Sequence, residues 1–173
     1  MFFGYLCAHP HVWVEVSAGL TTHSDTDSLS IVWKYDEMFS LMLSEDFDTD
    51  KNGVLSAEEE KNLRDLVFEN LKNVDFYMNI RRNTTPYTII PEFTPRLEEG
   101  VLYFVFTFPL PHDTETVRIR VIDEEFYHSM EWSETPLTIR AGDDRSISYD
   151  TEMTEVEWFH TLVPVTELVI SCE

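Results

Sequence analysis

The chain has 173 residues, 43% of them apolar and 13% aromatic, which is enough to bury a core of its own and too apolar for a disordered segment. Lys and Arg number 12 against 33 Asp and Glu, a net charge of −21 with no basic stripe, which excludes nucleic acid and anionic membrane surfaces as natural partners and draws in divalent cations. Apolar runs stop short of the roughly 18 residues of a membrane span; the longest, Val101 to Leu110, is broken by Thr107 and Pro109 and reads as a buried strand.

Residues 1–8, Met1-Phe2-Phe3-Gly4-Tyr5-Leu6-Cys7-Ala8, are apolar but short and without a basic start, and they read as the tail of a signal peptide with Ala8 before the cleavage point. Cleavage there leaves Cys172 as the only cysteine, so no intrachain disulfide is expected and cysteine usage does not fix the compartment. From His9 to Val16 the sequence alternates as a strand does, with Val12, Val14 and Val16 on a core face and His9, His11, Trp13 and Glu15 on the other. A polar turn from Thr21 to Ser28 leads to a second alternating strand, Leu29 to Tyr35, after which Asp36 caps a helix reaching about Phe47.

The next twelve residues, Asp48 to Glu59, read D-T-D-K-N-G-V-L-S-A-E-E. A hard cation such as Ca²⁺ takes six to eight oxygens, and a twelve-residue loop supplies them from positions 1, 3, 5, 7, 9 and 12. Asp48, Asp50 and Asn52 offer side-chain oxygens, Val54 its carbonyl, Ser56 a hydroxyl or a bridging water, and Glu59 a bidentate carboxylate. Gly53 stands where such a loop turns with positive φ, and Leu55 is free to pack inward. Phe39, Met42, Leu43 and Phe47 before the loop, and Leu63, Leu66, Val67 and Leu71 after it, recur at helical spacing, so the segment 36–72 reads as an inserted helix-loop-helix of EF-hand type. Ser56-Ala57-Glu58-Glu59 is also a capping box that would start the second helix with no metal at all. A lone copy points to a structural or weak calcium site, in the range of extracellular modules.

The His9-Pro10-His11-Val12-Trp13 start, the passage Trp33 to Ser40 and the Asp48 to Glu59 loop together resemble the family called domain of unknown function 1007. The resemblance is firmest over residues 9–80 and looser beyond. It implies a periplasmic protein associated with an uncharacterised ABC-type transport system, with a metal-ion permease of the nickel or cobalt kind among its partners. It supplies no catalytic activity.

Beyond the second helix, strands are expected at Val74 to Arg82, Tyr87 to Ile90, Val101 to Phe108, Thr116 to Ile122, Tyr127 to Trp132, Leu137 to Arg140, Glu155 to Phe159 and Thr166 to Ser171. The fold class is therefore α+β: residues 9–173 as one β-rich domain, mainly an antiparallel β-sandwich, with the helical motif inserted between two strands. The aromatic run Tyr103, Phe104, Phe106 and Phe108 reads as sheet core.

His9 and His11, two apart on one strand face, stand roughly 6.6 Å apart and can chelate one transition metal, Ni²⁺, Cu²⁺ or Zn²⁺. Were His9 the first residue after processing, its amine and imidazole would form a copper-type histidine brace. His23, His112, His128 and His160 are scattered singly and read as surface or as satisfied core residues. No metalloprotease, phosphate-loop, serine-hydrolase or dinucleotide motif occurs, so no catalytic residue is nominated. The expected function is that of an exported, non-enzymatic calcium-binding accessory protein of a nickel, cobalt or zinc transport system; the rivals are a histidine-brace copper enzyme and a calcium-dependent scaffold or sensor.

Overall fold

A computed structural model describes residues 11–125, 127–140, 142–158 and 160–173. Ten strands form two five-stranded sheets: β1 (Val12–Thr21), β2 (Thr26–Tyr35), β3 (Met78–Arg82), β4 (Thr85–Pro86), β5 (Glu92–Glu98), β6 (Val101–Pro111), β7 (Thr116–Val121), β8 (His128–Arg140), β9 (Ile147–Trp158) and β10 (Thr161–Cys172). One sheet has the order β5-β6-β2-β1-β8, the other β4-β3-β7-β10-β9. Two helices, α1 (Glu37–Phe47) and α2 (Ala57–Lys72), lie between β2 and β3. The protein is thus mostly β with two helices, as its alternating sequence implies.

Neighbouring strands run antiparallel apart from β1 and β8, which run parallel with Val12 opposite His128 and a register shift between Val16 and Ala18. The alternation along β1 sets its inner face: Val12, Val14, Val16 and Leu20 are buried, whereas Trp13 is half exposed. β6 behaves the same way, burying Leu102, Phe104, Phe106, Phe108 and Leu110, whereas Tyr103, expected in the same core, falls on the opposite face and is only partly buried. Phe106 is the hub of this core, with its ring centroid 4.6 Å from Trp33, 5.2 Å from Phe93 and 5.7 Å from Phe76.

Both helices start as expected. Asp36 accepts the Phe39 N–H (2.9 Å) on one carboxylate oxygen and the Trp13 N–H (2.9 Å) on the other, so one side chain caps α1 and ties it to β1. Ser56 and Glu59 form the reciprocal capping box of α2. Phe39, Leu43, Phe47, Leu55 and Val67 pack against the core with buried Leu63 and Leu71. Met42 and Leu66, expected inside, are more than half exposed. In their stead Ser40 is fully buried, its Oγ accepting the Leu102 N–H (3.0 Å) and donating to the Tyr35 carbonyl (3.4 Å). A small side chain here satisfies a backbone donor of β6 that a larger apolar one would leave bare.

Several strand limits differ from the sequence reading. Residues 87–90 carry no strand, and the strand lies instead at β5, where Pro95 disguised it. β5 is an edge strand, where a proline forfeits no ladder bond on its solvent side. β8 likewise runs through Pro136 as an edge strand, joining two segments that read as separate. β9 and β10 begin earlier than expected. Pro164 falls where β10 pairs with β9 but not yet with β7, whose register covers Glu167 to Ser171. Between α2 and β3 a single 3₁₀ turn (Asp75–Tyr77) replaces the expected strand start, with Phe76 held at φ 54° by burial between Phe68 and Phe106.

Candidate metal sites

The loop joining α1 to α2 folds its carboxylates inward on its own backbone. Asp48 ends α1, its N–H bonded to the Ser44 carbonyl (2.9 Å); its Oδ1 accepts the Asn52 N–H (3.1 Å) and its Oδ2 the Gly53 N–H (2.8 Å). Gly53 has φ +83° and Lys51 φ +56°, the two left-handed turns that bring the chain around. Asp50 accepts from the Asn52 backbone (3.1 Å) and from its side-chain amide (2.8 Å), while Asn52 Oδ1 accepts the Val54 N–H (2.9 Å). At the far end Glu59 Oε1 accepts from the Thr49 N–H (2.7 Å) and hydroxyl (2.6 Å), and Oε2 from the Ser56 N–H (2.9 Å). These bonds stabilise the ionised form, led by the Thr49 hydroxyl, and lower the Glu59 carboxyl from 4.5 to about 2.

Carboxylate oxygens of Asp48, Asp50 and Glu59 come within 4.8 Å of one another. Two oxygens bound to one Ca²⁺ at about 2.4 Å can be at most about 4.8 Å apart, so the spacing allows the three to share a single ion. Asp48 and Glu59 are buried and Asp50 is exposed, which leaves one open side. Asn52 and Ser56 sit within the same hydrogen-bonded ring, Asn52 turned toward Asp50 and Val54, Ser56 toward Glu59. Val54, expected to offer its carbonyl, has an exposed side chain in the same loop.

The low carboxyl of Glu59 makes a prediction without metal. Its folded value lies below the unfolded one, so its contribution is complete above pH 4.5 and is lost as pH falls toward 2. Melting temperatures of calcium-free protein should therefore fall more steeply across this window in the wild type than in Glu59→Gln. Parallel curves for the two would mean that Glu59 is not held as described.

Of the two amino-terminal histidines, His9 lies outside the described residues. His11 is exposed, its N–H bonded to the Tyr127 carbonyl (2.9 Å) and its ring 5.2 Å from that of Tyr127. His128 heads the neighbouring strand, in register with inward-facing Val12, and its Nδ1 is 2.7 Å from Oδ2 of buried Asp123. This pairing escaped the sequence reading; an Asp five residues before a His at a strand start is its only trace. Beside it lies a cleft of about 650 Å³ between β8 and β10, with Glu131, Glu134 and Asp150 also in its wall. Among the described residues a second group within metal-binding reach is Asp27, His112 and Asp143, which the sequence reading also missed because its members lie far apart in the chain, on β2 and in the β6–β7 and β8–β9 connections.

Fold and sites together define a two-sheet, mainly antiparallel β protein with two helices and acidic side-chain groups suited to cations, and no helix among the described residues is long and apolar enough to cross a membrane. Residues 1–155 match the family described as protein of unknown function DUF1007, and the chain belongs to that family. No curated protein matches it. Among solved structures it is similar to AChBP of Bulinus truncatus, at 9% identity and a TM-score of 0.40, over 93% of this chain and 85% of that one. At that distance nothing about binding transfers.

Proposed function

We propose that the protein is an exported, non-enzymatic accessory of a transition-metal transport system, built as a β-sandwich whose EF-hand-type insertion is clamped by Ca²⁺. The convergence of the Asp48, Asp50 and Glu59 carboxylates around a loop turned at Gly53 carries this reading. Asn52, Val54 and Ser56 complete the oxygen set, and the ion fastens the end of α1 to the start of α2. His9 and His11 supply the nitrogen donors for Ni²⁺, Cu²⁺ or Zn²⁺; His11 directly precedes β1, whose parallel partner β8 lines the acidic cleft, where a cation handed to a permease would be received. The periplasmic location and the permease or ABC-type partner rest on the family likeness.

Calorimetric titration of the full chain with Ca²⁺ tests the clamp: one site with a dissociation constant at or below the millimolar range supports it, and no heat at millimolar Ca²⁺ refutes it. The transition-metal role has its own test. His11→Ala is expected to weaken Ni²⁺, Cu²⁺ or Zn²⁺ binding about tenfold or more while leaving Ca²⁺ affinity unchanged, because imidazole and oxygen sites differ in softness. Equal loss of both metals in that variant would show that the two regions are not separate sites.

A further inference from the structure

At the other end of β1, where Thr21 passes into the turn before β2, a second group of polar side chains is drawn together from the start of β2 and from the β6–β7 and β8–β9 connections. Asp27 is 1% exposed; its Oδ1 accepts the His23 N–H (3.0 Å) and Arg145 Nη2 (2.6 Å), while its Oδ2 is buried with no hydrogen-bond partner. Buried carboxylate oxygens are nearly always satisfied, so a bare one points to a missing ligand. Asp143 Oδ2 is 2.8 Å from the same Arg145 Nη2, and its Oδ1 accepts the Thr22 hydroxyl (3.1 Å). His112 Nδ1 stands 3.9 Å from Asp27 Oδ1 and 4.0 Å from Asp143 Oδ2.

Two edges of the triangle these donor atoms mark are 3.9 and 4.0 Å and all lie within 4.8 Å, so an ion equidistant from the corners would lie roughly 2.3 to 2.5 Å from each. Zn–N and Zn–O bonds are about 2.0 to 2.2 Å, so a contraction of a few tenths of an ångström completes the site. The Arg145 guanidinium nitrogen bridging the two carboxylates occupies the position of a cation. It returns one positive charge to two negative ones, so the two carboxylates and the guanidinium keep a formal net charge of −1. A dication in its place cancels that charge, and bidentate binding by Asp27 through Oδ1 and Oδ2 would give the bare oxygen its bond. The surroundings hold the ligands as an outer shell does: Thr22 bonds to Asp143, and Gly142 donates its N–H to Thr22 Oγ1 (2.8 Å). Only glycine fits there, since a Cβ at position 142 would meet the Thr22 carbonyl oxygen at 2.3 Å.

We propose that Asp27, His112 and Asp143 form a second transition-metal site, of Zn²⁺ class, which the Arg145 guanidinium closes when no ion is bound. The imidazole sets it apart from the all-oxygen loop and selects against Ca²⁺. It stands roughly 30 Å along β1 from His11 and uses no residue of the calcium loop, so it succeeds or fails apart from the function proposed above.

The test titrates the full chain, carrying His11→Ala and held at saturating Ca²⁺, with Co²⁺ as a spectroscopic probe and Zn²⁺ as competitor. One Co²⁺ is expected to bind with the visible bands of a low-coordinate nitrogen and oxygen site, and Zn²⁺ to displace it. His112→Ala should weaken binding about tenfold or more, and Arg145→Gln should strengthen it by removing the competing cation. His112 is partly exposed, so its removal leaves the core intact, and an unchanged melting temperature verifies this. Should Arg145→Gln not fold, His112→Ala decides alone. Equal Co²⁺ affinity with and without His112, or no Co²⁺ bound by either protein, overturns the site and leaves Arg145 as a salt-bridge latch.

Discussion

Glu59→Gln is expected to abolish most of the calcium-dependent rise in melting temperature. An ion that binds only the folded chain stabilises it by mass action, and at a hundredfold excess over the dissociation constant the gain corresponds to about 5 to 10 °C for a protein of this size. Glutamine keeps one oxygen for the capping bond to the Ser56 N–H, so α2 still starts where it does. What it loses is the second ligand oxygen and the negative charge, and the affinity should fall by at least about tenfold. Thermal melts with and without Ca²⁺ measure the effect directly. A calcium-dependent shift as large in the variant as in the wild type would mean that the loop is only a capped turn between helices.

Phe106→Ala is expected to be the most damaging single change in the core. The side chain is fully buried and its ring touches those of Trp33, Phe76 and Phe93, which belong to β2, the turn before β3, and β5. Truncation leaves a cavity between β2, β5 and the turn before β3, and such changes cost about 3 to 5 kcal/mol. For a chain of this length that corresponds to a melting temperature lower by roughly 6 to 20 °C. Urea unfolding at equilibrium provides the measurement, with Thr107→Ala on the outward face of the same strand as the control. A cost below about 1.5 kcal/mol at Phe106 would contradict the packing described.

The alternation of Val12, Val14 and Val16 and of Phe104, Phe106 and Phe108 made the inner faces of β1 and β6 legible, because a half-buried strand imposes a period of two on its own sequence. Caps were equally plain, since Asp36 and Ser56 act on residues three positions away. Strands containing proline were not. Pro95 and Pro136 read as breaks, and nothing local shows that β5 and β8 are edge strands where proline is tolerated. The grouping of Asp48, Asp50 and Glu59 could be read because all three fall within one contiguous loop. Asp27, His112 and Asp143 are brought together by pairings between distant strands, and no spacing in the sequence records that; Asp123 and His128 are only five residues apart, but that spacing matches no familiar motif. Ser40 shows the same limit from the other side, a polar residue buried because a backbone N–H of β6 needs an acceptor.

The parallel docking of β1 on β8 has a bearing on the order in which the polypeptide acquires its shape. β1 and β2 can zip together as soon as both have left the ribosome, whereas β8 must wait for most of the chain and then close a very long loop to reach its place. Until it arrives, one flank of β1 presents unsatisfied amides and carbonyls. Completion of this sheet is therefore a late event, and until then the bare flank of β1 is the place where a half-made chain most readily pairs with the wrong strand.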